Sequence, residues 1–172
     1  FAAAFVWDGS ASTDWATAAN WDLNAVPGTG DTAIIADVVN KPILGGAVTV
    51  NNLTINANSS LGLSGNNLTV STTFTNNGSL TLTGDETVST PINNAGSTVT
   101  YTATTGSRNL KNWTYDNLTI NGSGGTFTLG AALDVNNTLT ITAGTLDVGV
   151  SNFGITAKSW TDTGAGVFTE GT

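Results

Sequence analysis

Short triplets in which two apolar residues flank a polar or small one recur along almost the whole chain. They include Val48-Thr-Val50, Leu53-Thr-Ile55, Leu80-Thr-Leu82, Leu118-Thr-Ile120 and Leu139-Thr-Ile141, and Asn, Gly, Ser and Thr separate them. Side chains alternate between two faces along a β-strand, so each triplet places both apolar side chains on one face. Such strands are too short to bury a core alone. Their recurrence therefore predicts a solenoid of stacked strands.

The spacing of the triplets indicates the length of one turn. Leu118, Leu139 and Trp160 recur at intervals of 21 residues, and Leu133 and Phe153 follow at an interval of 20. Parallel tracks with nearly equal intervals are typical of a coil that carries several strands in each turn. We predict an all-β, single-domain parallel β-solenoid with about three strands and about 20 residues per rung.

Residues 1–37 differ in composition from the repeats, which we assign to residues 38–172. This first block contains Trp7, Trp15 and Trp21 among small residues and turns. A solenoid exposes unpaired strand edges and an open apolar end, so we interpret the block as an N-terminal cap. The alternative is a sugar-binding face, because Trp side chains stack on the apolar faces of sugar rings.

The same block resembles the opening of the repeat regions of bacterial cell-surface β-helix proteins, including autotransporter passengers and filamentous-haemagglutinin-like adhesins. The residues that carry the resemblance run from Trp7-Asp-Gly-Ser-Ala-Ser-Thr-Asp-Trp15 through Asn20-Trp21 to Pro27-Gly-Thr-Gly-Asp31-Thr-Ala-Ile-Ile35. The segment from Trp113 to Asp147 is similar to the internal repeats of those proteins. The resemblance implies a β-helix at a cell surface.

Composition argues against enzyme activity and against binding to nucleic acid or membranes. The chain has no Cys, His or Met, and its 12 acidic and 4 basic residues give a net charge of −8. Such a charge repels nucleic acid and anionic membranes, and no apolar run reaches the ~20 residues of a membrane span. Asp85 and Glu86 are adjacent on a turn and point apart in an extended chain. We therefore predict no enzyme activity, no cofactor and no metal site, although a calcium ion at an acidic corner stays open.

The chain begins with Phe1-Ala-Ala-Ala, which is consistent with removal of a secretory signal peptide. We therefore expect a secreted protein in the extracellular space or at the cell surface. Its last residues, Gly164 to Thr172, stop within a rung and contain no polar cap. An uncapped solenoid end is an association surface.

These features favour a structural subunit of an extracellular filament or surface assembly, in which copies of the chain polymerise head to tail. In this hypothesis Phe1–Trp7 adds a strand to a neighbour. The predicted interface residues are Phe1, Phe5, Val6, Trp7, Trp160, Val167 and Phe168. Alternatively, residues 1–6 fold back on their own core or form a disordered tail, and the chain is a fragment of a larger adhesin. A second alternative is an adhesin module that binds host or environmental glycans through Trp15, Trp21, Trp113 or Tyr115.

Overall fold

Strands joined by turns make up nearly all of the molecule. A computed structural model describes residues 2–170, and a 3-10 helix at Ala18–Asn20 is the one helix among them. The strands in chain order are β1 (Ala4–Trp7), β2 (Thr32–Ile35), β3 (Val48–Ile55), β4 (Ser60–Gly62), β5 (Leu68–Asn76), β6 (Ser79–Leu82), β7 (Ile92–Asn93), β8 (Thr98–Tyr101), β9 (Ser107–Asn109), β10 (Thr114–Tyr115), β11 (Asn117–Thr128), β12 (Leu133–Asp147), β13 (Ile155–Asp162) and β14 (Gly166–Thr169).

Each strand pairs in parallel with a strand about one turn away along the chain. Leu118 pairs with Leu139, and Leu139 pairs with Trp160, as the 21-residue spacing predicts. Apolar residues of neighbouring strands thus share one face and bury each other from water. The chain is an all-β parallel β-solenoid with about 20 residues per turn, which confirms the predicted fold class.

One predicted register is wrong. Leu133 pairs with Ile155 and not with Phe153. In the turn before β13, Gly149 and Asn152 have positive φ angles of 73° and 49°, and the Asn152 N–H donates to the Gly149 carbonyl at 3.1 Å. This turn takes up more residues than the repeat predicts, so the next strand pairs two residues later.

The chain divides into two compact units, of which the first comprises residues 2–81 and 86–97. In this unit a parallel sheet has the strand order β1-β2-β3-β5-β7, and β4 pairs with β6. Leu53, Ile55 and Leu61 are fully buried in its core. Because β1 and β2 belong to the sheet, parallel stacking already begins within residues 1–37.

The second unit comprises residues 82–85 and 98–170. Its two longest strands, β11 and β12, pair with each other. β11 also pairs with β8 and β9, and β12 also pairs with β10, β13 and β14. Leu118, Ile120, Leu139 and Ile141 are fully buried between these strands and form the core of the unit.

Candidate functional site

Four aromatic side chains form a compact cluster in the N-terminal block. Trp21 lies at its centre, with ring centroids 6.4 Å from Phe5, 5.2 Å from Trp7 and 4.8 Å from Trp15, and all three contacts are edge-to-face. The indole N–H of Trp21 donates to the Trp15 carbonyl at 3.0 Å, and that of Trp7 donates to the Asn40 carbonyl at 2.7 Å. Edge-to-face packing of buried rings stabilises this block beyond the area that it buries.

The four aromatic residues predicted as glycan contacts are all more than nine-tenths buried. The exposed fractions are 2% for Trp15, 1% for Trp21, 8% for Trp113 and 0% for Tyr115. Stacking on a sugar requires an accessible ring face, and in this conformation none of the four rings presents one. They pack in the interior of their own units instead.

The predicted inter-subunit strand lies in the sheet of its own chain. β1 pairs in parallel with β2, and its Phe5 and Trp7 are buried. On the opposite side of β1, the Val6 N–H donates to the Asp22 carboxylate at 2.9 Å, and the Val6 carbonyl accepts from the Asp22 N–H at 3.0 Å. The chain's own residues thus bond the outer edge of β1 at Val6. Phe1, the first residue of the predicted strand, lies outside the described residues.

Two polar residues that the sequence reasoning missed hold the N-terminal block in shape. Asn20 is fully buried, and its side chain forms four hydrogen bonds with neighbouring residues of the block. Asp31 accepts hydrogen bonds from the backbone N–H groups of Ala3 at 2.9 Å and Gly28 at 2.8 Å. These two bonds lower the pKa of Asp31 below its usual value of 3.8. In the sequence, the only sign of these structural roles is that an Asn and an Asp lie beside tight turns.

A small cleft opens beside the aromatic cluster. It has a volume of about 220 Å³ and is lined by Trp15, Ala16, Val26, Pro27 and residues 45–49. Its lining is largely apolar, and the indole nitrogen of Trp15 is buried with no hydrogen-bond partner. A buried N–H without an acceptor is costly. That nitrogen is inaccessible to solvent, so the cleft itself offers largely apolar walls.

One wall of this cleft is a strand edge that no described strand covers. The first half of β3 pairs with β5 through Val48, Thr49 and Val50, whereas β2 pairs only with residues 52–55. The Val48 N–H donates to the Asn67 carbonyl at 3.0 Å. Backbone groups alternate in direction along a strand, so the N–H and C=O of Thr49 point away from β5. Thr49 is exposed and presents an unpaired edge toward the cleft.

The predicted C-terminal interface residues are exposed on the last two strands. The exposed fractions are 43% for Trp160, 52% for Val167 and 37% for Phe168. The rings of Trp160 and Phe168 lie edge-to-face, 4.9 Å apart. β13 and β14 both pair with β12, and no other described strand pairs with them. These two strands thus combine an apolar surface with an open edge.

The direction of the backbone groups on β14 follows from one hydrogen bond. The Val148 N–H donates to the Thr169 carbonyl at 3.2 Å, in the parallel pairing that places Phe168 beside Leu146. Since neighbouring residues alternate, Val167 and Thr169 direct their backbone groups toward β12. The N–H and C=O of Phe168 therefore point to the open edge.

Neither a metal-binding cluster nor a membrane-spanning helix occurs among the described residues. Within residues 2–170, no group of three or more His, Cys, Asp and Glu side chains is arranged to hold a metal ion. No helix in the same range is long and apolar enough to cross a membrane. The candidate features of the described residues are the strand edges and the cleft beside Trp15.

Fold and edges together define this molecule as a parallel β-solenoid with a compact aromatic N-terminal block. Residues 6–123 match the family described as a domain of unknown function, DUF8693, and this match covers more than half of the chain. The chain belongs to that family. No curated protein and no solved structure shows significant similarity to it.

Proposed function

We propose that this protein is a structural subunit of a secreted surface filament, in which copies join head to tail through unpaired strand edges. The observation that carries the proposal is the open edge of β13 and β14, where Trp160, Val167 and Phe168 are exposed. An exposed apolar strand edge readily pairs with another chain. A contact between two different surfaces of identical copies produces an open filament unless it closes into a ring.

A second open edge on the same chain supports assembly of identical copies. The edge at Thr49 lies in the first unit, and the edge at Phe168 lies in the second. A parallel sheet can grow only where a free edge of one strand meets a free edge of the next. One chain therefore carries both halves of a heterologous contact.

Composition and resemblance support placement outside the cell. The absence of Cys, His and Met leaves few side chains that oxidise or bind metals. The resemblance to bacterial cell-surface β-helix proteins supports a surface role. We favour assembly over glycan binding because the four candidate glycan contacts are buried.

The experiment compares assembly of the wild-type chain with two Val→Asp variants. Val167→Asp places a charge on the proposed interface, whereas Val39→Asp places the same charge at a valine that is 96% exposed in the first unit. We expect the wild-type chain and Val39→Asp to form concentration-dependent filaments. Val167→Asp should require a concentration at least about tenfold higher, because a charged side chain on a strand edge opposes pairing with another strand.

Sedimentation velocity measures the assembly over a concentration series, and negative-stain electron microscopy shows the form of the particles. A wild-type chain that stays monomeric at every concentration would contradict the proposal. Equal assembly of all three proteins would place the contact elsewhere and remove β14 from it.

A further inference from the structure

The two open edges match each other in the direction of their backbone groups. Thr49 directs its N–H and C=O away from β5, and Phe168 directs its N–H and C=O away from β12. In a parallel pair of strands, a residue forms backbone hydrogen bonds with the two residues that flank its directly opposite partner. Thr49 meets this requirement when its N–H donates to Gly166 and its C=O accepts from Phe168. That pairing places Val167 directly opposite Thr49.

The inward and outward directions of the side chains on both strands support the same register. Val50 is 0% exposed, and Phe168 pairs with the fully buried Leu146, so both belong to the inward faces of their strands. Thr49 and Val167 lie on the outward faces. Placing Val167 opposite Thr49 also places Phe168 opposite Val50. A slip by one residue would put an inward side chain on the outward face, which strand geometry penalises.

We infer that the edge of β3 beside Trp15 is a strand-addition site, and that its occupant is β14 of a second copy in this register. This inference rests on the proposed head-to-tail assembly and names its contact. The occupant fits the cleft because Val167 and Phe168 are apolar, as most of the lining is. Main-chain bonds give such a contact its affinity, and side chains give it specificity.

Disulfide cross-linking tests the register, because the described residues contain no cysteine and the sequence has none. Thr49→Cys and Val167→Cys are made in separate chains and mixed. Both positions are exposed, so neither substitution opens the core. Neighbouring strands lie about 4.8 Å apart, which falls within the Cα separation of about 4.4–6.8 Å found in disulfides. Peptide mapping after mild oxidation then identifies the residues that are joined.

The matched control is Thr69→Cys mixed with Val167→Cys. Thr69 is the exposed partner of Thr49 on the next strand of the same face. It would lie about two strand spacings, roughly 9.6 Å, from Val167 in the inferred contact. We expect the 49–167 disulfide at a yield about tenfold above the 69–167 disulfide, because only the first pair lies within bonding range.

The outcomes separate this inference from the proposed function. Filaments of the wild-type chain with no excess of the 49–167 disulfide would overturn the inferred contact and leave the proposed function standing. A specific 49–167 disulfide between the two cysteine variants, together with a wild-type chain that forms only short oligomers, would support the contact and overturn the filament. Equal yields of both disulfides would overturn the register.

Discussion

Tyr101 and Tyr115 form a buried pair of hydroxyl groups in the second unit. Their oxygens lie 3.0 Å apart, the Tyr115 hydroxyl donates to the Lys111 carbonyl at 2.7 Å, and the Lys111 N–H donates to the Tyr101 oxygen at 3.0 Å. Burial, followed by the charge and the hydrogen bond of Tyr101, raises the pKa of Tyr115 well above 10.0. The folded state thus keeps a proton that the unfolded chain releases in alkaline solution.

The pair predicts that the protein loses stability as the pH rises above about 10. Above that pH the unfolded chain binds fewer protons than the folded one, so the free energy of unfolding falls with pH. Tyr115→Phe should lower the free energy of unfolding by about 1–3 kcal/mol at pH 7, because it leaves the Lys111 carbonyl without its partner. It should also flatten the fall above pH 10. Urea unfolding between pH 7 and 11 measures both effects, and an unchanged slope in the variant would contradict the assignment.

Asn20 predicts a second effect at the residue scale. Its side-chain oxygen accepts from the N–H groups of Ala11 and Ser12, and its nitrogen donates to the Ser12 hydroxyl and the Asp14 carbonyl. Asn20→Ala removes all four bonds inside a fully buried site. We expect a loss of about 2–4 kcal/mol, since unsatisfied buried groups are costly.

The control for Asn20 is Asn112→Ala, which makes the same substitution at an exposed asparagine. This variant should unfold within about 0.5 kcal/mol of the wild-type chain, as most surface substitutions do. Chemical denaturation followed by tryptophan fluorescence compares the two, since the rings of Trp15 and Trp21 lie in the same block. A similar loss in both variants would show that the Asn20 network contributes little.

At the scale of elements, glycines allow β11 and β12 to bend while staying paired. Gly144 has a φ angle of 88°, and a Cβ atom there would overlap the carbonyl oxygen of Gly122. The pairing of the two strands shifts register over this stretch. A residue without a side chain is therefore required at this close approach of the two backbones.

Gly144→Ala should lower the free energy of unfolding by more than about 2 kcal/mol, because it adds a strained backbone conformation to a backbone overlap. Gly154→Ala is the matched control, since a Cβ atom at Gly154 would meet nothing within 4 Å and its φ is not positive. Thermal unfolding by circular dichroism measures both variants. Equal midpoints for the two would rule out a structural role for the close approach.

Most of the elements could be predicted from sequence because apolar triplets report directly on strand alternation. The register of Leu139 follows from spacing alone, whereas that of Ile155 depends on a turn whose length the repeat does not encode. The sequence singles out Trp160 and Val167 as candidate interface residues because they are large apolar side chains among small and polar residues, and both are exposed in the structure. The edge at Thr49 was not found, since its openness depends on which backbone groups β2 and β5 use. The sequence around Trp15 suits both a packed cap residue and an exposed glycan contact, and only the burial of its ring distinguishes the two roles.

At the scale of the whole molecule, charge opposes the association that the open edges favour. Each copy carries a net charge of −8, so every added subunit meets repulsion from those already joined. The proposed contact is apolar and made through backbone groups, and it has few opposite charges to offset this repulsion. Salt weakens repulsion between exposed charges because the Debye length falls from about 10 Å at 0.1 M to about 3 Å at 1 M.

Assembly should therefore begin at a lower protein concentration as NaCl rises from about 0.1 M to about 1 M. Light scattering over a concentration series at each salt level measures the onset. Val167→Asp distinguishes specific assembly from salting-out, because general precipitation would affect the variant and the wild-type chain alike. If assembly instead weakened with salt, ion pairs involving the 4 basic residues would have to hold the copies together. Such a result would be incompatible with a contact made by β14 and the edge at Thr49, where backbone bonds and apolar side chains carry the affinity.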